Sequence, residues 1–262
     1  DARTGAPVEP LRIVPASHSG PGSRLTWQSQ YRKSYEAAPA RFQMQRGWPQ
    51  TVLRIEAAGY RPHVTDPLPR EAGQTLQVEL EPDAGIAGSV LTPDGQPAVG
   101  ANVARCTWTN EVTVRDGKLT FSGHGRELGH QIQAGDDGSF RLPPEVDEWV
   151  LVVAHETGYA ERTIAEFAEQ KSITLKPWGR LEGTFVVNRK PVTDQRVQVG
   201  AGRGDVEVIL HYLAGDVRTD ADGRFVVERL PPVRLFVSPL FEHEGSQYSL
   251  LWFSGNMEIA AG

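Results

Sequence analysis

A chain of 262 residues, 39% hydrophobic and 23% charged, is long enough for two or three folded domains and too apolar for a disordered one. Its formal charge of −6 argues against nucleic acid as a partner, because phosphate binding needs a concentrated basic surface. The single cysteine, Cys106, excludes an intramolecular disulfide and a Cys-pair metal or redox motif, and the 27 glycines and 19 prolines favour short strands over long helices.

One phrase, a turn followed by Pro, a small or apolar residue and then a strand, occurs three times in chain order. Its prolines are Pro7, Pro97 and Pro191, at intervals of 90 and 94 residues (97 − 7 and 191 − 97), the length of one small β-sandwich. The first copy opens on Asp1-Ala2-Arg3-Thr4-Gly5-Ala6-Pro7-Val8 and is expected to lack a first strand, as though residue 1 fell inside a longer pattern. Its central strand is expected at Val52–Ala57, before Gly59-Tyr60, and its closing strand at Leu76–Leu80.

The second copy opens with a strand at Gly85–Leu91, then Thr92-Pro93-Asp94-Gly95-Gln96-Pro97-Ala98. Asp136-Asp137-Gly138-Ser139-Phe140 marks a hairpin, since Gly takes positive φ at low cost and Asp bonds its own backbone. Leu142-Pro143-Pro144 ends that strand, Val150–Ala154 supplies the centre of the core before Gly158-Tyr159, and Ile173–Leu175 closes the copy. A short helix is expected within Ala160–Gln170.

The third copy repeats the order: a strand at Gly179–Phe185, the phrase at Val187–Val192, a hairpin at Asp220–Phe225, Leu230-Pro231-Pro232, and a strand at Val233–Val237 with no Gly-Tyr after it. The expected domains are therefore residues 1–83, 84–177 and 178–262, stacked through short junctions at Pro82 and Pro177. Long insertions near residues 15–40, 105–135 and 200–216 are where individual function is expected.

These phrases resemble the carboxypeptidase regulatory-like domains, with their transthyretin-like or prealbumin-like fold, and more loosely the collagen-adhesin B-type repeats. The residues carrying the resemblance are the Gly88 and Gly183 strands, the Pro97 and Pro191 turns, Asp-Gly-x-Phe at Gly138 and Gly223, and Gly-Tyr at Tyr60 and Tyr159. The resemblance implies an all-β chain of tandem Ig-like or prealbumin-like antiparallel β-sandwiches. It also implies an accessory segment of a larger bacterial surface, periplasmic or secreted protein, with a protein or glycan at the cell surface as partner and no catalytic residues.

The candidate sites have ordinary readings beside their functional ones. Trp27, Trp48 and Trp108 lie in or beside insertions and are the candidates for stacking on sugar rings, whereas Trp149 and Trp178 read as core and junction. His124 and His130 near Glu127 form the candidate metal pair, but an ordinary surface loop is favoured. Asp220-Ala221-Asp222-Gly223 lacks the third acid and the Glu of a calcium loop, so a plain hairpin turn is favoured. Glu242-His243-Glu244 puts both Glu on one face of a strand and His243 on the other, which suits a solvated edge. Arg203-Gly204-Asp205 is explained by its turn, and Lys176 and Lys190 flank a strand rather than sitting inside one, against an isopeptide crosslink.

No metal or cofactor is expected, and no apolar run approaches the roughly 20 residues that would insert this segment into a membrane. The expected function is a non-enzymatic structural or interaction segment, with carbohydrate binding through the three insertion tryptophans as the alternative.

Overall fold

The computed structural model describes residues 1–18, 25–43, 51–68, 75–107, 110–122, 131–202, 210–213, 217–243, 246–249 and 255–258. Among these, the chain is all-β apart from one short α-helix and a 3-10 turn at Ser29–Tyr31. It divides into two compact units, the first made of Asp1–Ala87 with Arg141–Asp147, the second of Gly88–Ser122, Gln131–Phe140 and the described residues from Glu148 onward.

The first unit is built on strands β1 (Leu11–His18), β2 (Leu25–Trp27), β3 (Lys33–Tyr35), β4 (Thr51–Glu56) and β5 (His63–Val64), in the order β2-β1-β4-β5 with β3 also on β1. Antiparallel pairing sets Arg12 opposite Glu56, Val14 opposite Arg54 and Ala16 opposite Val52. Because side chains alternate along a strand, Ile13, Leu53 and Ile55 gather with Leu80 on one face while Val14, Ala16 and Val52 gather with Trp27 on the other. Every residue of β4 is buried, so the sheet is covered on both faces at this strand. The expected closing strand at Leu76–Leu80 forms no ladder among the described residues, although Leu80 is buried and its carbonyl accepts from the Ala2 N–H at 2.9 Å. Extended sequence becomes a strand only where a neighbour supplies the ladder.

The following elements are β6 (Ile86–Leu91), β7 (Asn102–Cys106), β8 (Glu111–Arg115), β9 (Lys118–Ser122), β10 (Gln131–Gln133), β11 (Ser139–Leu142), β12 (Val150–His155), β13 (Gly158–Thr163), α1 (Ile164–Glu169) and β14 (Ser172–Thr174). One sheet runs β10-β7-β12-β13 and a second β11-β6-β14, where β14 is parallel to β6. The expected helix is six residues long and starts late, because Gly158–Thr163 first pairs with β12. A capping box then starts α1: the Thr163 hydroxyl accepts from the Glu166 N–H and the Glu166 carboxylate accepts from the Thr163 N–H. The helix buries Phe167, which meets Phe140 at 5.9 Å and Trp149 at 6.1 Å between ring centroids.

The chain continues with β15 (Gly179–Thr184), β16 (Val186–Val187), β17 (Lys190–Pro191), β18 (Arg196–Gly202), β19 (Leu210–Leu213), β20 (Val217–Arg218), β21 (Arg224–Leu230), β22 (Arg234–His243), β23 (Ser246–Ser249) and β24 (Gly255–Glu258). A central antiparallel pair thus recurs as β1·β4, β7·β12 and β18·β22, flanked at the start of its earlier strand by β3, β10 and β20. The hairpin β8–β9 lies in the insertion between β7 and β10, yet β8 pairs in parallel with β19, from Leu210 opposite Val112 to Leu213 opposite Arg115. The resulting sheet follows β23-β22-β18-β19-β8-β9, with β20 on β18 and β24 on β22. One hydrophobic cluster runs through the second unit from Ala104, Val112, Val114 and Val152 to Val197, Val199, Phe225 and Leu235.

Trp178 sits within this unit. Its indole N–H donates to the His155 carbonyl at 2.8 Å and its ring lies 5.4 Å from that of Tyr159. We expect Trp178→Ala to lower stability by about 2 kcal/mol, the order for losing a half-buried aromatic and its hydrogen bond. Urea unfolding followed by circular dichroism measures it, and a change under half that size would show that the ring carries no packing.

Candidate functional site

The densest polar constellation among the described residues lies in the first unit, on the face of β1 and β4 that carries Trp27. Arg54 leaves β4 with its side chain only 5% exposed. Its Nε is 2.6 Å from Glu56 Oε1, its Nη2 3.0 Å from Glu145 Oε1, and its Nη1 3.6 Å from Asp147 Oδ2. Arg12, directly across the ladder, reaches Glu56 Oε2 from Nε and Nη2, both at 2.6 Å. Two guanidiniums therefore answer three carboxylates.

Trp27 closes the arrangement. Its Nε1–H donates to Asp147 Oδ2 at 2.9 Å, and the Arg54 guanidinium carbon lies 5.7 Å from the ring centroid, within cation–π range. Glu145 Oε1 also accepts from the Val146 N–H at 2.8 Å, which ties the carboxylate to its own backbone. The Pro143-Pro144 stretch holds the preceding chain extended. Chemically the cluster is a tether: its charges pair with one another across β1, β4 and the 141–147 segment.

Of the predicted sugar-stacking residues, Trp27 is 7% exposed and holds the cluster described above. Trp48 and Trp108 lie outside the described residues, as do His124, Glu127, His130, Arg203-Gly204-Asp205 and Glu244. Glu242 and His243 are the last two residues of β22, opposite Gln247 and Ser246.

Asp220 and Asp222 stand in a turn whose Asp220 Oδ1 accepts from the N–H groups of Asp222 at 2.9 Å and Arg224 at 2.8 Å, the bonding of a hairpin. In the matching turn of the second copy, hydrogen bonds from Ser139 hold the Asp137 carboxyl below its ordinary range. Trp149 is buried in the core, and Lys176 and Lys190 are exposed. Among the described residues no group of three or more His, Cys, Asp or Glu is placed to hold a metal ion, and no helix is long and apolar enough to cross a membrane.

Sequence reasoning missed Arg54, Glu56, Glu145 and Asp147. Alternation in Val52-Leu53-Arg54-Ile55-Glu56 reads as one buried and one solvated face. The only signal was a cross-strand match of opposite charges, visible once the register is known. Compared with known proteins, the chain matches no protein-family model, and no curated protein matches it.

Proposed function

We propose that this chain is a non-enzymatic structural or interaction segment, built of tandem prealbumin-like β-sandwich modules, that spaces or presents a partner outside the cytoplasm of a bacterium. The observation that carries the reading is the use made of an insertion. Rather than forming a free loop, β8–β9 of the second copy adds itself to the β18–β19 sheet of the third, and one hydrophobic cluster runs through both. A chain that spends an insertion on joining its repeats resists bending between them, as a spacer must. The ion pairs of Arg54 with Glu56 and with Glu145 support the same reading, because they tie β4 to the 141–147 segment.

The test is mechanical. Pulled from its ends in a single-molecule experiment, the second unit is expected to give one cooperative unfolding event in which the second and third copies go together. Two separate events, each the length of one copy, would overturn the spacing role. Carbohydrate recognition remains the rival, and a glycan-dependent change in tryptophan fluorescence would favour it instead.

A further inference from the structure

The sequence holds four Asp-Gly pairs, at Asp94-Gly95, Asp116-Gly117, Asp137-Gly138 and Asp222-Gly223. Such a pair can cyclise, because the glycine nitrogen is unhindered by a side chain and the aspartate carboxyl carbon is one methylene from its own backbone.

Three of the pairs are held against it. The Gly95 N–H donates to the Thr92 carbonyl at 2.9 Å, the Gly138 N–H to the Gly135 carbonyl at 2.9 Å, and the Gly223 N–H to the Asp220 carbonyl at 3.0 Å. In each, the Asp-Gly peptide is the last of a four-residue turn and its N–H closes that turn. Asp137 is held twice, since its Oδ1 also accepts from the Ser139 N–H at 2.9 Å. Turning any of these peptides over breaks the bond that closes the turn.

Asp116-Gly117 sits in a turn of another kind, the two-residue loop of the β8–β9 hairpin, with Arg115 opposite Lys118. Asp116 has φ +51° and Gly117 φ +76°, the two left-handed residues of a type I′ turn. Here the strand ends close the loop, and the N–H between the two central residues lies outside the ladder. Turning the Asp116–Gly117 peptide over changes only ψ of Asp116 and φ of Gly117, and converts type I′ to type II′ with both strands in place. Glycine takes the new φ at low cost. The five-membered ring closes when the aspartate Cβ eclipses the glycine nitrogen, at a ψ of about −120°, the value of the first central residue in type II′. The flip therefore carries Asp116 into the reactive conformation while the hairpin stays paired. Asp116 is exposed, so water reaches it.

We propose that Asp116 is a site of spontaneous isoaspartate formation, and that the change lifts the β8–β9 tip from Trp178. The Gly117 nitrogen attacks Asp116 Cγ, a C–N bond forms, and the amide proton leaves with the carboxyl hydroxyl as water, which gives a cyclic imide. Water then adds to one of the two imide carbonyls. Opening at Cγ restores aspartate, whereas opening at the backbone carbonyl leaves Gly117 joined through Cγ, with one more atom in the main chain. No oxidant or reductant takes part. A Cβ on Gly117 would stand 3.0 Å from Arg229 Cδ and 3.6 Å from Trp178 Cζ2, so the tip is seated against both. A turn one backbone atom longer no longer fits that seat. The modification does not depend on the spacing role, and its test leaves that role untouched.

The full chain is aged in neutral buffer, folded and in urea, and isoaspartate is located by electron-transfer fragmentation in a mass spectrometer. Folded, Asp116 is expected to convert about tenfold faster than Asp94, Asp137 or Asp222, the order set by one hydrogen bond that must break first. In urea, where no turn is held, the four are expected to convert at similar rates. Ageing is expected to quicken amide exchange at Lys118, and Asp116→Glu, whose ring would need a further methylene, to abolish both changes. Conversion at Asp116 no faster than at the other three, or a spread that persists in urea, would overturn the proposal. So would conversion at Asp116 with unchanged exchange at Lys118, because the tip would then have stayed seated.

Discussion

Replacing Arg54 with Met is expected to destabilise the first unit by roughly 3–5 kcal/mol, the cost of leaving a buried charge without its partner. Glu145 carries the cost: its side chain is 1% exposed and its contact with Arg54 is 3.0 Å. Glu56 loses one guanidinium but keeps Arg12 at 2.6 Å. The loss is therefore expected to shrink when the stranded charge is removed as well, in Arg54→Met with Glu145→Gln, because a neutral amide tolerates the apolar surroundings better than a carboxylate.

Asp147→Asn serves as the contrast. Its side chain is 33% exposed and 3.6 Å from Arg54, so its ion pair is largely screened and a change under about 1 kcal/mol is expected. Urea unfolding of the three variants, with hydrogen exchange to locate the loss on β1 and β4, measures the series. If Arg54→Met stays within about 1 kcal/mol of the parent chain, the tether holds nothing.

The second large effect is expected at the Asp-Gly turn of the second copy. Gly138 has φ +74°, and a Cβ there would sit 2.4 Å from the Val90 carbonyl oxygen. Ala at this position meets two penalties. The left-handed conformation costs about 1 kcal/mol, and relief of the backbone contact forces apart the strand edge where Val90 donates to Gly138 at 2.9 Å, for a total of about 3 kcal/mol or more.

Gly95 and Gly223 separate the two terms. Gly95 has φ +84° with nothing within 4 Å of a Cβ, so Gly95→Ala is expected to cost only the conformational part, about 1 kcal/mol. Gly223 has φ +72° with the Phe185 carbonyl oxygen at 2.8 Å, which places Gly223→Ala between them. Thermal unfolding of the three variants should rank them Gly138, Gly223, Gly95 from most to least damaging. Equal losses would mean that conformation alone decides and that the close approach to Val90 is relieved without cost.

The strands were legible where local chemistry sets them. Val150–His155 is a run of apolar residues between turns, and Asp136-Asp137-Gly138 and Asp220–Gly223 turn the chain where Gly and Asp allow it. The insertions were less legible. Glu111–Arg115 lies in what reads as an insertion, and nothing local to it says that its partner is Leu210–Leu213, nearly a hundred residues later and parallel. A parallel pair has no hairpin to announce it.

What the sequence by itself determined is the all-β character, the repeated order of turn and strand, and the turn glycines, because alternation and backbone preference act over a few neighbouring residues. What only the tertiary structure decided is which faces are covered and which strands become neighbours. Arg54 and Glu56 occupy positions that alternation assigns to solvent, and they are buried because Trp27 and the 141–147 segment lie over them. Ile173 is likewise buried beside Val90 because β14 stands next to β6. Burial and pairing belong to the neighbour as much as to the residue, and the neighbour is chosen by the packing of the whole chain.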